Sequence, residues 1–236
     1  MASTVIKNWD NQTWLSSINY INSFNSFLIK NIKFNQDFKI LDIGCGRGKI
    51  LGSLKSKLKL KEKPLGIDII NHKDRDKRIN FKKTNILNFS FKKGQRFDLI
   101  LIKQTIHLMK FNEIKKLLRL LKKRLNPEGK ILIFTLDTGK NEIPTFKLMK
   151  LKLNQSLQRD RKILEIITNL YPSIIKKKFI FNVKIKKKSY LEMIRNRYIS
   201  TLLPLSKKQI DQGIHEIKLK YNDTLKFKDK LFCIIL

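Results

Sequence analysis

The sequence predicts an α/β protein with a mostly parallel sheet and helices on both faces. Strand and helix patterns alternate through the first two thirds of the chain, which is the order that βαβ units require. The nearly continuous apolar run Phe97–Ile102 is typical of a central parallel strand that is buried on both faces. A glycine-rich turn at Gly44–Gly48 joins the apolar run Lys39–Ile43 directly to a helical pattern.

The first two thirds of the chain contain five predicted strands. Each strand is a short apolar run bounded by turn residues, and each helix has apolar residues at three- and four-residue spacing. The turn at Asn126–Gly129 ends a helix because proline and glycine interrupt helices. In chain order, the predicted elements are a helix at Trp14–Ile32, a strand at Lys39–Ile43, a helix at Lys49–Leu58, strands at Leu65–Ile69 and Asn80–Lys83, a turn at Asn85–Leu87, a strand at Phe97–Ile102, a helix at Phe111–Leu125 and a strand at Lys130–Thr135.

The final third has a different character, with longer helices and two separated strands. Pro172 ends a long helical pattern, and the alternation of apolar and polar residues at Phe179–Ile185 predicts a strand with one solvated face. The elements predicted here are a helix at Phe146–Tyr171, a strand at Phe179–Ile185, helices at Tyr190–Ser200 and Lys207–Tyr221, and a buried last strand at Leu231–Leu236. No linker rich in proline, glycine or serine divides the chain, so residues 1–236 are predicted to form one domain.

The glycine-rich turn carries the most specific chemical information in the sequence. Gly44, Gly46 and Gly48 alternate after the first strand, and Asp42 lies two residues before the first of them. This spacing differs from the G-x-G-x-x-G of dinucleotide sites, and a carboxylate beside the turn repels a pyrophosphate but attracts an ammonium or sulfonium group. Asp68 follows about 25 residues later at the end of a second strand, where an acid commonly holds a ribose.

At these residues the chain resembles the class I S-adenosylmethionine-dependent methyltransferases, and among them the small-molecule, type 11-like enzymes. Asp42 and the alternating glycines match the family's first motif, and Asp68 matches its ribose-binding acid. The resemblance implies a Rossmann-like sheet of seven strands with the last one antiparallel. It also implies a division into an N-terminal helical lid (about 1–37), a cofactor-binding core (38–136), and a helical cover with the last two strands (137–236).

The resemblance further implies which residues contact S-adenosylmethionine (SAM). Asn85 falls where the family often has an acid that binds the adenine amino group, and an amide oxygen can accept the same hydrogen bond. Phe97–Ile102 resembles the family's fourth strand, whose end faces the ligand. The implied cofactor-binding residues are Asp42, Gly44, Cys45, Gly46, Asp68, Ile69, Asn85, Ile86, Lys103 and Gln104.

Catalytic and substrate-binding residues are harder to predict, because methyl transfer from a sulfonium needs alignment and exclusion of water more than acid–base chemistry. His107 follows the fourth strand and is a candidate base, with packing against a helix as the alternative. Arg195, Arg197 and Tyr198 are candidates for substrate binding, the alternative being a helix with solvated arginines. An arginine there could bind a carboxylate or phosphate through two hydrogen bonds.

Composition limits the class of protein. The hydrophobic fraction of 42% is sufficient for a sizeable core. No apolar run reaches 18 residues and the N-terminus lacks a signal sequence, so we expect a cytoplasmic protein without a membrane span. The two cysteines predict neither a disulfide framework nor a metal site. His72 and His215 have no metal-ligand spacing and are predicted to lie on the surface.

The charge leaves two explanations open. Lys+Arg 52 against Asp+Glu 19 give a formal net charge of +33, which favours non-specific binding of polyanions. The lysines are spread along the whole chain together with abundant isoleucine and asparagine, as genomic base composition alone would produce. We therefore expect SAM-dependent methyl transfer to a small molecule. The alternatives are an RNA or DNA methyltransferase that uses the basic surface, and a non-catalytic nucleotide-binding protein.

Overall fold

The computed structural model describes residues 13–91, 94–139 and 141–236. Seven strands in these ranges form one sheet in the order β3-β2-β1-β4-β5-β7-β6. Strands β1 to β5 run parallel, and β7 runs antiparallel to both β5 and β6. The strands are β1 Ile40–Ile43, β2 Leu65–Asp68, β3 Asn80–Lys83, β4 Phe97–Lys103, β5 Leu125–Leu136, β6 Ile175–Lys186 and β7 Thr224–Ile235. The predicted fold class, a mostly parallel seven-stranded sheet, is confirmed.

Helices cover both faces of the sheet, as predicted. On one face α1 packs through Tyr20, Phe24 and Leu28 against residues of β1, β4 and β5. On the other face α4 and α5 form a second core with the opposite side chains of the same strands, including Ile100 and Ile133. The helices are α1 Ile18–Asn31, α2 Lys49–Leu58, α3 Ile86–Phe91, α4 Phe111–Lys122, α5 Lys147–Leu170, α6 Lys187–Arg195 and α7 Lys207–Lys220.

Two local predictions differ from the structure. The predicted turn at Asn85–Leu87 is the start of α3, because the Asn85 side-chain oxygen accepts the Leu87 N–H at 2.8 Å and caps the helix. Asn126–Gly129 lies within β5 as a bulge, between the pairs Phe97–Leu125 and Leu99–Lys130. Turn residues were recognised in each case, but the pairing around them depends on neighbours distant in sequence.

Strands β6 and β7 continue beyond the rest of the sheet. Leu136, the last residue of β5, pairs with Leu231 of β7, and Leu231 also pairs with Phe179 of β6. Seven further residue pairs follow, from Ile180–Lys230 to Lys186–Thr224. This ribbon (residues 180–186 and 224–230) extends roughly 23 Å past the carboxyl ends of the parallel strands, at about 3.3 Å per residue.

A helical cover packs on the ribbon. It consists of α6, α7 and the first turns of α5, and it has its own apolar core, separate from the two cores of the sheet. Val183, Leu225 and Phe227 of the ribbon face this core. The buried residues that the helices contribute are Phe146, Met149, Tyr190, Leu191, Met193, Ile194, Ile210, Ile214 and Ile217. The cover therefore lies at the carboxyl edge of the sheet.

The packing of α7 against Phe146 requires a residue without a side chain at Gly213. A Cβ atom at Gly213 would lie 2.5 to 2.6 Å from the Phe146 ring. We expect Gly213→Ala to lower the free energy of unfolding by about 1–2 kcal/mol, because overpacking exceeds the helix-propensity gain of about 1 kcal/mol. Urea denaturation measures the change. Phe146→Leu combined with Gly213→Ala should recover part of the loss, and a more stable single variant would contradict the packing argument.

Candidate active site

The glycine turn has the geometry that its sequence predicts. Gly44, Gly46 and Gly48 have φ angles of 74°, 55° and 69°, a region that side chains with a Cβ adopt at a cost. The N–H groups of Gly44 and Cys45 donate to the Ile67 carbonyl at 2.9 and 3.1 Å. These bonds hold the turn against β2, so that α2 begins directly after it.

Asp68 lies at the end of β2, beside this turn. One carboxylate oxygen accepts the Gly46 N–H at 2.9 Å, and the other accepts the Ile70 N–H at 3.0 Å. The two backbone donors fix the carboxylate in one orientation. Each carboxylate oxygen has a second lone pair, so both are able to accept a hydroxyl as well.

The residues after β2 and β3 form an apolar surface next to Asp68. The Ile69 side chain is 56% exposed, which is unusual for a large aliphatic residue directly after a core strand. Ile86 is half-buried at the start of α3, and Asn85 is exposed. The Asn85 oxygen already accepts the Leu87 N–H, and it retains one lone pair for a further donor.

Asp42, Lys103 and Asp229 form a charged row across the sheet. The side chains of Asp42 and Lys103 are on the face that α1 covers, as the two-residue period of their strands requires. Burial raises the pKa of Asp42 to about 7, although Lys103 opposes the shift. Burial lowers the pKa of Lys103 to about 8, against the attraction of Asp229 and Asp42.

The Lys103 ammonium group is buried against two aromatic rings. Its Nζ lies 5.2 Å from the centre of the Tyr20 ring and 5.6 Å from that of Phe24. It donates to Gln104 Oε1 at 3.1 Å. In the described part of the chain, no carboxylate lies within 4.0 Å of this ammonium.

Asp229 was missed by the sequence prediction, which began the last strand at Leu231. Trp14 donates from its indole N–H to Asp229 at 2.9 Å, and its ring packs edge-on against Phe227. Residues 224–231 alternate buried and exposed positions, with Asp229 at a buried one. This alternation was the signal in the sequence for an inward-facing carboxylate.

The segment after β4 borders the row. Gln104 has a φ of 50°, and its N–H donates to the Phe134 carbonyl at 2.8 Å. His107 lies in a short 3-10 turn. Burial, together with the nearby Arg159, lowers the pKa of His107 to about 4. The imidazole is therefore neutral at pH 7 and a weak proton acceptor.

The three candidate substrate residues lie in the helical cover. The predicted helix over them ends at Arg195, which is exposed in its last turn. Arg197 follows with a φ of 54° and donates from Nε and Nη2 to the Leu205 carbonyl at 3.2 and 3.0 Å. Tyr198 is partly buried against the core of the cover. Arg197 thus stabilises the loop before α7.

His72, in the loop after β2, differs from its prediction. His72, predicted on the surface, is 8% exposed. Arg47 of the glycine turn is buried, and its Nε donates to both Asp74 oxygens at 2.7 Å. This contact folds residues 70–78 against the turn. No group of three His, Cys, Asp or Glu side chains suited to a metal ion occurs within the described residues.

A cleft of about 1000 Å³ lies at the opposite edge of the sheet from these residues. Residues at the amino ends of the strands line it, including Lys39, Asp98 and Lys130. Ligands of open α/β sheets bind at the carboxyl ends of the strands. The glycine turn, Asp68 and the charged row are all at that opposite edge, so the cleft is separate from the candidate site.

The fold and the site together define a class I SAM-dependent methyltransferase. The defining features are the strand order, the antiparallel last strand, the glycine turn and the acid at the end of β2. A family model described as "Methyltransferase domain" matches residues 34–197. The chain belongs to this family. None of the curated protein sequences matches the chain significantly.

Solved structures agree with this fold. The plantazolicin methyltransferase BpumL, crystallised with a pentazolic desmethylPZN analog and SAH, is 20% identical with a TM-score of 0.53, and the match covers 97% of this chain and 88% of that one. A SAM-dependent methyltransferase from Geobacter sulfurreducens with S-adenosyl-L-homocysteine is 13% identical (TM-score 0.54, 96% and 95% covered). A putative methyltransferase from an antibiotic biosynthesis pathway of Anabaena variabilis is 11% identical (TM-score 0.56, 89% and 95% covered).

Proposed function

We propose that this methyltransferase transfers the methyl group of SAM to a small-molecule acceptor at the carboxyl edge of the sheet. The observation that carries the proposal is the helical cover, which packs on the ribbon beyond the carboxyl ends of the strands. Trp14 binds the same ribbon on the α1 face. Elements on both faces therefore border the edge and favour a confined acceptor over an extended polymer. BpumL, which was crystallised with a pentazolic desmethylPZN analog, supports this choice.

The residues present fit SAM. Asp68 has free lone pairs for both ribose hydroxyls, and Ile69 and Ile86 offer apolar surface to the adenine ring. The glycine turn, from Gly44 through Cys45 to Gly46, leaves room for the thioether chain because it lacks bulky side chains. At the methionine end, Asp42 attracts the ammonium group and Lys103 attracts the carboxylate.

The mechanism requires little proton transfer. SAM supplies an activated methyl group on a sulfonium, and the leaving thioether is neutral. The protein orients donor and acceptor in line and keeps water away from them. Gln104 has a left-handed backbone conformation, and its N–H donates to the Phe134 carbonyl. This hydrogen bond holds the loop after β4 beside the charged row. His107 is a weak base because of its lowered pKa, so we propose that it shapes the pocket.

Ligand binding and product analysis test the function. S-adenosylhomocysteine (SAH) at 100 times its Kd should stabilise the protein by about 2.7 kcal/mol, which raises Tm by roughly 5–10 °C for a chain of this size. With tritium-labelled SAM, label should enter low-molecular-weight compounds of a metabolite extract. Absence of stabilisation by SAH would overturn the donor assignment, and preferential labelling of RNA or DNA would overturn the acceptor class.

Lys103 provides a prediction on the donor itself. Its ammonium has no ion pair within the described residues, so we expect it to bind the methionine carboxylate. Wild-type protein should bind SAH about 10- to 100-fold more tightly than decarboxylated SAH (S-adenosyl-3-thiopropylamine). This factor corresponds to the free energy of one charge-assisted hydrogen bond. Lys103→Met should remove this preference, and Lys103→Arg should retain part of it. Isothermal titration calorimetry measures the Kd of both ligands. If Lys103→Met lost the same factor of affinity for SAH and for decarboxylated SAH, the assignment would be contradicted.

The surface charge supports a separate, weaker interaction. We propose that polyanions bind the protein non-specifically through dispersed lysines, with a steep dependence on salt and no preferred sequence. We propose a cytoplasmic location, which the two free cysteine thiols favour. No helix among the described residues is long and apolar enough to cross a membrane.

A further inference from the structure

The buried acids of this basic protein lie along the carboxyl edge of the sheet, on both of its faces. Among the described residues, four carboxylates are buried: Asp42, Asp137, Asp160 and Asp229. Asp42 is near the end of β1, Asp137 directly follows β5, and Asp229 is in the ribbon. The Asp160 carboxylate of α5 is near Leu136, the last residue of β5, whose backbone N–H lowers the pKa of this carboxyl and so opposes the effect of burial. All four therefore lie at the carboxyl edge, in a chain with a net charge of +33.

Asp160 occupies a position that the pattern of α5 reserves for apolar residues. The buried stripe of this helix contains only aliphatic side chains apart from this one acid, which is 2% exposed. Carboxylates are almost never fully buried unless they are paired. The aliphatic members of the stripe are Met149, Leu153, Leu157, Ile163 and Ile167. Met149 packs in the core of the cover, and Ile163 packs in the core of the sheet. Asp160 lies between these two residues along α5, near the carboxyl edge of the sheet.

The hydrogen bonds of Asp160 are incomplete. Its Oδ1 is buried and has no hydrogen-bond partner in the described structure. Burial raises the pKa of this carboxyl to about 6, although Arg159 opposes the shift. A buried acceptor that lacks a partner destabilises the protein unless a ligand supplies one.

The two arginines beside Asp160 bind loops instead of its free oxygen. Arg159 donates from Nε to the His107 carbonyl at 2.9 Å and from Nη2 to that of Met109, both after β4. Arg161 donates to the Thr138 carbonyl at 2.7 Å, after β5. Asp160 thus lies between two arginines that bind the loops after β4 and β5.

We propose that Asp160 binds a cationic nitrogen of the methyl acceptor, an amine or amidinium, through its unpartnered oxygen. The inference rests on the proposed function and names the substrate class. Of the other buried acids, Asp42 is beside the donor turn, Asp229 accepts the Trp14 indole, and Asp137 accepts the Gly139 N–H and the Lys178 ammonium at 3.0 Å each. Asp160 is the member of the group whose unpartnered oxygen is fully buried. A ligand N–H satisfies it, and the positive charge pairs with the Asp160 carboxylate.

Matched probes test the proposal on the full-length protein saturated with SAH. Phenethylamine, 2-phenylethanol and 3-phenylpropanoate share one ring and differ in charge. We expect phenethylamine to raise Tm and to bind at least tenfold more tightly than the two others. Asp160→Asn should reduce amine binding at least fivefold, leave binding of the alcohol unchanged, and leave SAH affinity within about twofold, since Asp160 does not contact the donor turn.

Asp137→Asn is the control variant, because it removes a buried carboxylate at the same edge that is already paired. It should retain the preference for the amine. Asp160→Leu tests whether the site needs a polar group at all, and it should lose amine binding even if it is more stable. The proposal is overturned if the alcohol or the acid stabilises the protein as well as the amine does, or if Asp160→Asn keeps the amine preference. Failure of wild-type protein to bind SAH would instead overturn the proposed function.

Discussion

Asp68→Ala should weaken SAH binding by at least about 100-fold. The variant removes a carboxylate whose two oxygens are fixed by the Gly46 and Ile70 N–H groups and, in the proposed complex, two charge-assisted hydrogen bonds to the ribose. Such bonds contribute about 1.5–3 kcal/mol each, and each 1.4 kcal/mol corresponds to tenfold in Kd. Isothermal titration calorimetry with SAH measures the loss directly.

Two further variants separate ribose binding from general effects. Asp68→Asn keeps the size and one acceptor oxygen but loses the charge, so its Kd should fall between those of wild type and Asp68→Ala. Asp37→Ala removes an exposed acid that pairs with Lys61, and it should bind SAH like the wild type. Unchanged affinity in Asp68→Ala would exclude Asp68 as the ribose ligand.

Gly44→Ala should reduce SAH affinity at least tenfold and lower Tm by several degrees. Gly44 has a φ of 74°, which costs an L-residue about 1–2 kcal/mol. A Cβ there would also lie 2.2 Å from Thr105 Oγ1, so the loop after β4 must shift. The turn and this loop together border the proposed donor site, so we expect a displacement of either to weaken SAH binding. Thermal denaturation with and without SAH measures both effects.

The contributions of backbone and side chain can be separated at this position. Thr105→Gly removes the side chain that the new Cβ meets, so Gly44→Ala combined with Thr105→Gly should recover the part of the loss due to the collision, while the backbone strain remains. Gly94→Ala is the matched control, because a Cβ at Gly94 meets only the Arg124 side chain at 3.7 Å. Wild-type behaviour of Gly44→Ala would show that the turn tolerates a side chain.

The geometry of the glycine turn and the position of Asp68 beside it were largely predictable from sequence. Glycines are needed where φ is positive and the chain turns from strand to helix, so alternating glycines after an apolar run indicate the turn without any structure. Asp68 follows from the length of one βαβ unit. The structure brings these residues together through local hydrogen bonds, within about 25 residues of chain.

The other side of the site depends on contacts between distant parts of the chain. Asp229 approaches Lys103 only because β7 inserts antiparallel between β5 and β6. Trp14 reaches Asp229 across 215 residues of sequence. Arg197, predicted on a helix face, is instead in a left-handed conformation after the helix ends, where it binds Leu205. Sequence periodicity reports which face a residue occupies but not which element packs against it.

The sequence by itself determined the class of fold, the glycine turn and the family, because hydrophobic period, glycine φ requirements and the spacing of one acid are local properties. Only the tertiary structure decided that the buried carboxylates of a strongly basic chain lie along one edge. Asp42, Asp160 and Asp229 come from a strand, a helix and a ribbon that are far apart in sequence. Their burial and incomplete pairing arise from packing, and the proposal of a cationic acceptor depends on it.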